Sequence, residues 1–356
     1  MAWDVADVND TTQRSKAPTK RSLGYYENEN KNKKGTITLT EMKTVAFLIL
    51  AHKSPKQIVR LLKALNHPQV DCYLHLDKKM HITEEERAEI QLKGGAILPQ
   101  RVSCYLDDWS LCEAALLLLN ESRRVSSYKY YMLLSGQDYP IKPIPDLIQL
   151  LDRNYPKPYI DTTPYSEDNW ISYKLWTTKL HSKVKFTCNK VQLKIGCKIR
   201  GLNRVQDICQ RLSSKFSPSA LCQLESLNVK IYGGSAWWAL SDLTVNEMMS
   251  DIQSNPQIVE TFKWVFTPEE LFFQTMVMRT SVASMVEVNP VDKRAQNGLT
   301  YANFVSPTKE VSCHPHILES EDWEWLKLRP EYFARKFDMD RSPKVLDIIE
   351  KSLNNK

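Results

Sequence analysis

The sequence predicts an α/β protein built on a central, mostly parallel sheet flanked by helices. Three observations predict it. Residues 44–50 form a continuous apolar run, as expected of a strand covered on both faces. Strand-like segments at 70–76 and 128–134 repeat that theme. Helical apolar periodicity falls between them, and strand alternating with helix argues for parallel crossovers. The chain has 356 residues, 42% hydrophobic and 25% charged, which suits one large soluble α/β domain or two fused units.

Residues 1–42 are polar and rich in Asn, Lys, Thr and Ser, so a disordered or weakly ordered tail is expected there. Order is expected from Lys43, in a domain over 43–340 followed by a C-terminal helix at 341–356. After the first strand, Ser54 and Pro55 open a helix with Ile58, Leu61, Leu62 and Leu65 on one face. The strand at 70–76 ends at Asp77, and 84–92 reads as a helix. A weaker strand is expected at 101–105, then a strongly apolar helix from Ser110 to Glu121. The strand at 128–134 runs into Ser135-Gly-Gln-Asp138. From 160 to 230 the pattern is irregular, which reads as a variable insertion with short helices. Gly233 and Gly234 make a turn into an apolar strand, and Ser241-Asp242 caps the next helix. A helix within 262–281, short strands within 285–305, and helices at 322–328 and 343–353 complete the reading.

The formal net charge of +6 fits an anionic small molecule or an anionic membrane surface, but no Lys/Arg array suggests nucleic acid. No run of 18 apolar residues predicts a transmembrane helix, and the first residues lack the basic and apolar regions of a signal peptide. A cytoplasmic protein, in peripheral contact with the inner membrane face, is expected. The eight cysteines show neither CxxC nor Cys/His ligand spacing, so reduced cysteines and no zinc site are expected. P-loop, dinucleotide-binding, HExxH and GxSxG patterns are all missing.

Parallel α/β sheets bind ligands at the C-terminal ends of their strands, which singles out His52, Asp77 and Asp138. Asp138 can accept hydrogen bonds from sugar hydroxyls, bind a metal, or simply close an Asx-type turn. Trp237 and Trp238 follow the Gly-Gly turn; alternation sends one ring inward and one outward, and an outward ring is a platform for a sugar face. Thr267-Pro-Glu-Glu270 reads as a helix start, with Thr267 as cap and two acids in the first turn. Adjacent helical residues point about 100° apart, so Glu269 and Glu270 have different jobs, and a carboxylate at a cleft mouth is a candidate general base. Arg335 and Lys336 can neutralise a diphosphate. Asp338-Met-Asp340 spells the Asp-x-Asp of metal-dependent sugar transferases, but it follows a basic stretch rather than a strand end.

Six segments occur in an order that resembles the core-2/I-branching β-1,6-N-acetylglucosaminyltransferase and peptide O-xylosyltransferase family, glycosyltransferase family 14. They are Ala46-Phe-Leu-Ile-Leu-Ala-His52, His75-Leu-Asp-Lys78, Leu134-Ser-Gly-Gln-Asp-Tyr-Pro-Ile-Lys142, Gly234-Ser-Ala-Trp-Trp-Ala-Leu-Ser241, Pro268-Glu-Glu-Leu-Phe-Phe-Gln-Thr275 and Phe333-Ala-Arg-Lys-Phe-Asp338. The resemblance implies a GT-A-like nucleotide-sugar transferase fold and an inverting transfer from a UDP-sugar with no metal cofactor. It implies Glu270 as catalytic base and Lys336, helped by Arg335, on the diphosphate. His52 and Asp77 fall on the donor side, with Asp77 near the uridine; Asp138, Trp237 and Trp238 lie near the sugars. The acceptor implied is a glycan or lipid-linked saccharide hydroxyl, and the donor sugar GlcNAc or xylose; the absence of a Golgi-type signal anchor suggests a bacterial member. Two departures stand out. Cys313 occupies the slot of a second diphosphate-binding Arg, and Leu106-Asp-Asp-Trp-Ser110 replaces a Trp-Gly-Gly-x-Ser stretch. A nucleotide- or glycan-binding protein without catalysis, and a glycoside hydrolase using Glu270 and Asp138, are the rival readings.

Overall fold

The computed structural model describes residues 42–175, 177, 208, 218–290, 297–304 and 314–354. The expected N-terminal tail up to residue 41, much of the 160–230 insertion, and Cys313 lie outside the described residues.

Strand β1, Lys43–Ala51, shows how the sequence sets the layers. Val45, Phe47 and Ile49 enter one apolar cluster, and Ala46 and Leu48 enter another on the opposite face. The period of two in a strand makes that division, and a strand apolar at every position is covered on both sides. Helix α1, Pro55–Leu65, and the helix Ile144–Asn154 cover the first face. The helix Ser110–Val125 covers the second.

The strands are β1, β2 (Val70–Leu76), β3 (Gly95–Ile97), β4 (Tyr128–Ser135), β5 (Tyr139–Pro140), β6 (Tyr159–Ile160), β7 (Thr163–Pro164), β8 (Tyr232–Gly233), β9 (Trp238–Ser241), β10 (Thr300–Ala302) and β11 (Phe333–Arg335). The main sheet runs β3-β2-β1-β4-β9-β6. β3, β2, β1 and β4 are parallel; β9 is antiparallel to β4, and β6 to β9. A second sheet, β10-β11-β5, branches from the end of β4. The C-terminal helix, Pro343–Asn354, packs Val345, Leu346 and Ile349 into the same cluster as β1 and Phe337, so it is part of this core.

Three expectations are corrected. Residues 101–105 form no strand; Gly95–Ile97 pairs with β2 instead. The backbone donors of 101–105 go to side chains: Val102 N to His75 Nε2 (2.8 Å), Cys104 N to Asp77 Oδ2 (3.3 Å) and Tyr105 N to Ser110 Oγ (2.8 Å). Side chains that satisfy the backbone compete with a ladder. The helix expected across 262–281 is broken. Pro268–Glu270 is a single 3-10 turn and the α-helix is only Phe272–Val277. The Thr267 side chain does not cap the turn: its φ of 46° is left-handed, and its hydroxyl donates to Phe266 O (2.8 Å). Within 285–305, the one described strand of that stretch is Thr300–Ala302, preceded by a 3-10 turn at Ser281–Met285.

Candidate active site

Parallel register brings three strand ends to one edge. Ala51 lies opposite Leu76, and Leu50 opposite Ser135. Asp77 N donates to Ala51 O (2.7 Å) and Gly136 N to Leu50 O (2.8 Å), so His52, Asp77 and the 135–138 turn share the C-terminal mouth of the sheet. A Cβ on Gly136 would stand 3.3 Å from that of Ala51, so the turn packs closely on the end of β1. Asp77 is 4% exposed and accepts from Lys79 N (2.8 Å) and Cys104 N (3.3 Å), while Lys79 Nζ lies 3.0 Å from its carboxylate. Arg101 ties the same loop to Asp77 O (2.6 Å) and Met80 O (2.7 Å).

Residues 335–338 cross this mouth. Phe337 O accepts from Gln57 Nε2 and Gln137 Nε2, both at 3.0 Å, and Phe337 N donates to Gln137 O (2.9 Å). Two buried amides from α1 and the turn after β4 thus fix where Lys336 stands. Lys336 makes no ion pair among the described residues. Partial burial, then the charges of Arg335 and Lys53, push its pKa down, and Asp338 works against that. His52 is exposed by surface area but its ring is partly enclosed; that enclosure, then Lys53 and Lys336, lower its pKa, so the imidazole is neutral at pH 7.

Asp138, Arg335 and Trp237 form one stacked group. The Asp138 carboxylate accepts from Ser135 N and Ser135 Oγ, both at 2.8 Å, and lies 3.3 Å from Arg335 Nε. The indole of Trp237 covers the guanidinium at 4.1 Å. Burial pushes the Asp138 carboxyl up and the Arg335 guanidinium down, and each charge offsets the other's shift. Asp138 therefore closes the turn and holds an arginine, with its side chain fully buried. Trp238 points the other way, 1% exposed against Phe273 at 5.1 Å, and is a core residue rather than a sugar platform.

The Gly233–Gly234 pair in this turn is a packing requirement. A Cβ on Gly234 would lie 1.9 Å from Asp161 O, and one on Gly233 would lie 2.7 Å from the Leu271 side chain. Gly234 N donates to Glu270 O (2.8 Å), so this turn holds the acid motif directly. Glu269 and Glu270 do diverge. Glu270 is 36% exposed and its Oε2 contacts the Lys174 ammonium, which also meets Thr267 Oγ1 and lies 4.8 Å over the Trp170 ring. The Glu269 residue keeps some surface, yet its Oε2 is sealed and has no hydrogen-bond partner among the described residues. Burial above all, and then the neighbouring Glu270, push the Glu269 carboxyl up to about 8, so it is largely protonated at pH 7.

One chain of contacts therefore joins two distant segments. Gly234 holds Glu270, Trp237 three residues on covers Arg335, and Arg335 precedes Lys336. Lys174 and Lys53 carry no motif signal. Lys174 sits on the short helix Ser172–Leu175 in the irregular insertion; Lys53 simply follows His52. Among the described residues, no group of three or more His, Cys, Asp or Glu side chains is arranged to hold a metal ion. Among them too, no helix is long and apolar enough to cross a membrane.

A family model described as Core-2/I-Branching enzyme matches residues 45–327. Xylosyltransferase 2 of Canis lupus familiaris is 23% identical over 323 residues, covering 86% of this chain and 33% of its own. Xylosyltransferase sqv-6 of Caenorhabditis elegans is 21% identical over 310 residues, covering 83% of this chain and 35% of its own. The chain thus spans about a third of the length of the curated relatives it matches. Among solved structures, a cytidylyltransferase from Leptospira borgpetersenii serovar Hardjo-bovis aligns with 36% of this chain and 55% of its own at 16% identity. Its TM-score is 0.25, too low to bear on fold or function.

Proposed function

The chain belongs to the Core-2/I-branching enzyme family, and from that premise we propose that it is an inverting, metal-independent glycosyltransferase of GT-A-like fold. It moves a sugar, GlcNAc or xylose, from a UDP-sugar to a hydroxyl of a glycan or lipid-linked saccharide.

The observation that carries the reading is the pairing of an open carboxylate with an uncompensated cation along one chain of contacts. Glu270 keeps a third of its side chain exposed while Lys174 fixes one of its oxygens. The other oxygen is left to take the proton of the acceptor hydroxyl as that hydroxyl attacks the anomeric carbon. The bond to the UDP oxygen breaks on the opposite face, and the electron pair leaves with the diphosphate. Lys336, with no ion pair among the described residues, stabilises that charge. Arg335 supports it from the buried side. His52 and Asp77 border the donor at the strand ends, and Trp237 borders the sugars.

The test is UDP release from a panel of UDP-sugars, with candidate glycan acceptors, with and without EDTA. Release from one donor that is insensitive to EDTA identifies the sugar and agrees with the metal-independent reading. Release abolished by EDTA would put a metal ion on the leaving group and overturn the metal-independent role of Lys336. UDP binding without release from any donor favours a nucleotide-sugar-binding protein that has lost catalysis.

A further inference from the structure

We propose that Lys53 is the second cation of the diphosphate site. The inference rests on the UDP-sugar reading above and names a ligand that reading lacks. A departing diphosphate carries more charge than one ammonium offsets. The cation next to Lys336 in sequence, Arg335, is already spent. Its charge faces Asp138 at 3.3 Å, its side chain is 15% exposed, and Trp237 covers its plane.

Lys53 is placed differently. It follows His52 at the end of β1, where Ser54 turns left-handed (φ 52°) into α1. Its side chain is 41% exposed and pairs with Asp338, two residues beyond Lys336. The amides of Gln57 and Gln137 clamp the intervening Phe337 over the same strand ends. Lys53 and Lys336 therefore approach one space from two sides of the mouth, and each raises the positive potential on its neighbours. The lowered pKa values of Lys336 and His52 agree with this placement. Asp338 is paired with Lys53 and Asp77 with Lys79, and no carboxylate pairs with Lys336 among the described residues. A net positive charge remains, held on a fixed frame at the mouth where α/β sheets receive ligands. Two lysines that repel each other are stabilised by an anion carrying two charges, which uridine lacks and a diphosphate supplies.

Calorimetry on the full chain tests this with UDP, UMP and uridine as probes. Replacing Lys53 by Ala should weaken UDP about ten- to a hundredfold while changing uridine affinity by less than about twofold. K53R should keep most of the UDP affinity. D338N breaks the same ion pair but leaves the ammonium, so its UDP binding should be held or strengthened. If K53A binds UDP as the wild type does, or if D338N weakens UDP as much as K53A, Lys53 is not a ligand and the proposal falls. If the wild-type protein binds no UDP, the UDP-sugar reading itself falls. Loss confined to K53A leaves that reading intact and supports the assignment.

Discussion

Lys174 and Glu270 form an ion pair with unequal exposure: the lysine side chain is 2% exposed and the glutamate 36%. The lysine is anchored under the rings of Trp170 and Tyr173, at 4.8 and 5.7 Å, while the carboxylate reaches the surface. The sealed partner sets the geometry, and the open one is the proton acceptor in the proposed mechanism. Replacing Glu270 by Gln keeps the shape and removes the proton acceptor. UDP binding should persist, and transfer should fall by about 10²–10⁴-fold or more. Near-normal transfer by E270Q, with UDP affinity as a control, would remove Glu270 from the mechanism.

The same asymmetry separates the two partners by experiment. K174M preserves most of the buried volume but releases Glu270 Oε2, and a carboxylate one-third exposed can rehydrate rather than remain stranded. Thermal stability should fall only modestly. Turnover should fall about tenfold, which corresponds to about 1.4 kcal/mol of barrier, with UDP affinity unchanged. K174R should restore part of the rate. A drop in UDP affinity equal to the drop in turnover would show that Lys174 acts on nucleotide binding and not through Glu270.

Glu269 gives the protein a pH signature. The folded carboxyl titrates near about 8 against an ordinary 4.5. Between those limits the folded protein holds a proton that the unfolded chain has released, so this contribution is complete below about pH 4.5 and is lost as pH rises through about 8. Asp161, buried and raised to about 6 by its burial, acts in the same direction. The difference between wild type and E269Q isolates Glu269. Urea unfolding from about pH 5 to about pH 8 should show the wild type losing stability relative to E269Q, on the order of a few kcal/mol. Parallel curves would mean that the Glu269 carboxyl is hydrated in solution.

Those sites show where sequence reading works and where it stops. The apolar run 44–50 reads as a strand covered on both faces, and parallel register then places His52, Asp77 and Asp138 at one mouth. The strand at 101–105 failed because tertiary side chains, His75, Asp77 and Ser110, take its backbone donors. The cap at Thr267 failed for a related reason: a left-handed turn under Lys174 replaces the expected helix start. Lys174 itself was invisible, since a lysine in an irregular segment carries no periodicity. Arg335 and Asp138 are each legible as candidate ligand-binding charges, one in a basic pair and one at a strand end. That they face each other is a long-range fact, 197 residues apart by number (335 minus 138), which no local pattern encodes.

That pair carries the last prediction. Asp138 is fully buried, Arg335 is 15% exposed, and Trp237 covers the guanidinium. Replacing Asp138 by Asn keeps the turn with Ser135 but strands a buried guanidinium, so D138N should cost about 3–5 kcal/mol. R335M should cost less, because Asp138 retains two hydrogen bonds from Ser135 and can take up a proton, as its raised pKa indicates. The double variant D138N/R335M leaves neither charge unpaired, so its cost should be well below the sum of the singles. Chemical unfolding of the four proteins measures the coupling directly. The same set tests which cations meet the nucleotide. R335M should retain UDP binding if Arg335 only supports the mouth, whereas K336A should lose it. Equal loss from both would place the guanidinium on the diphosphate and require it to leave Asp138 when the donor binds.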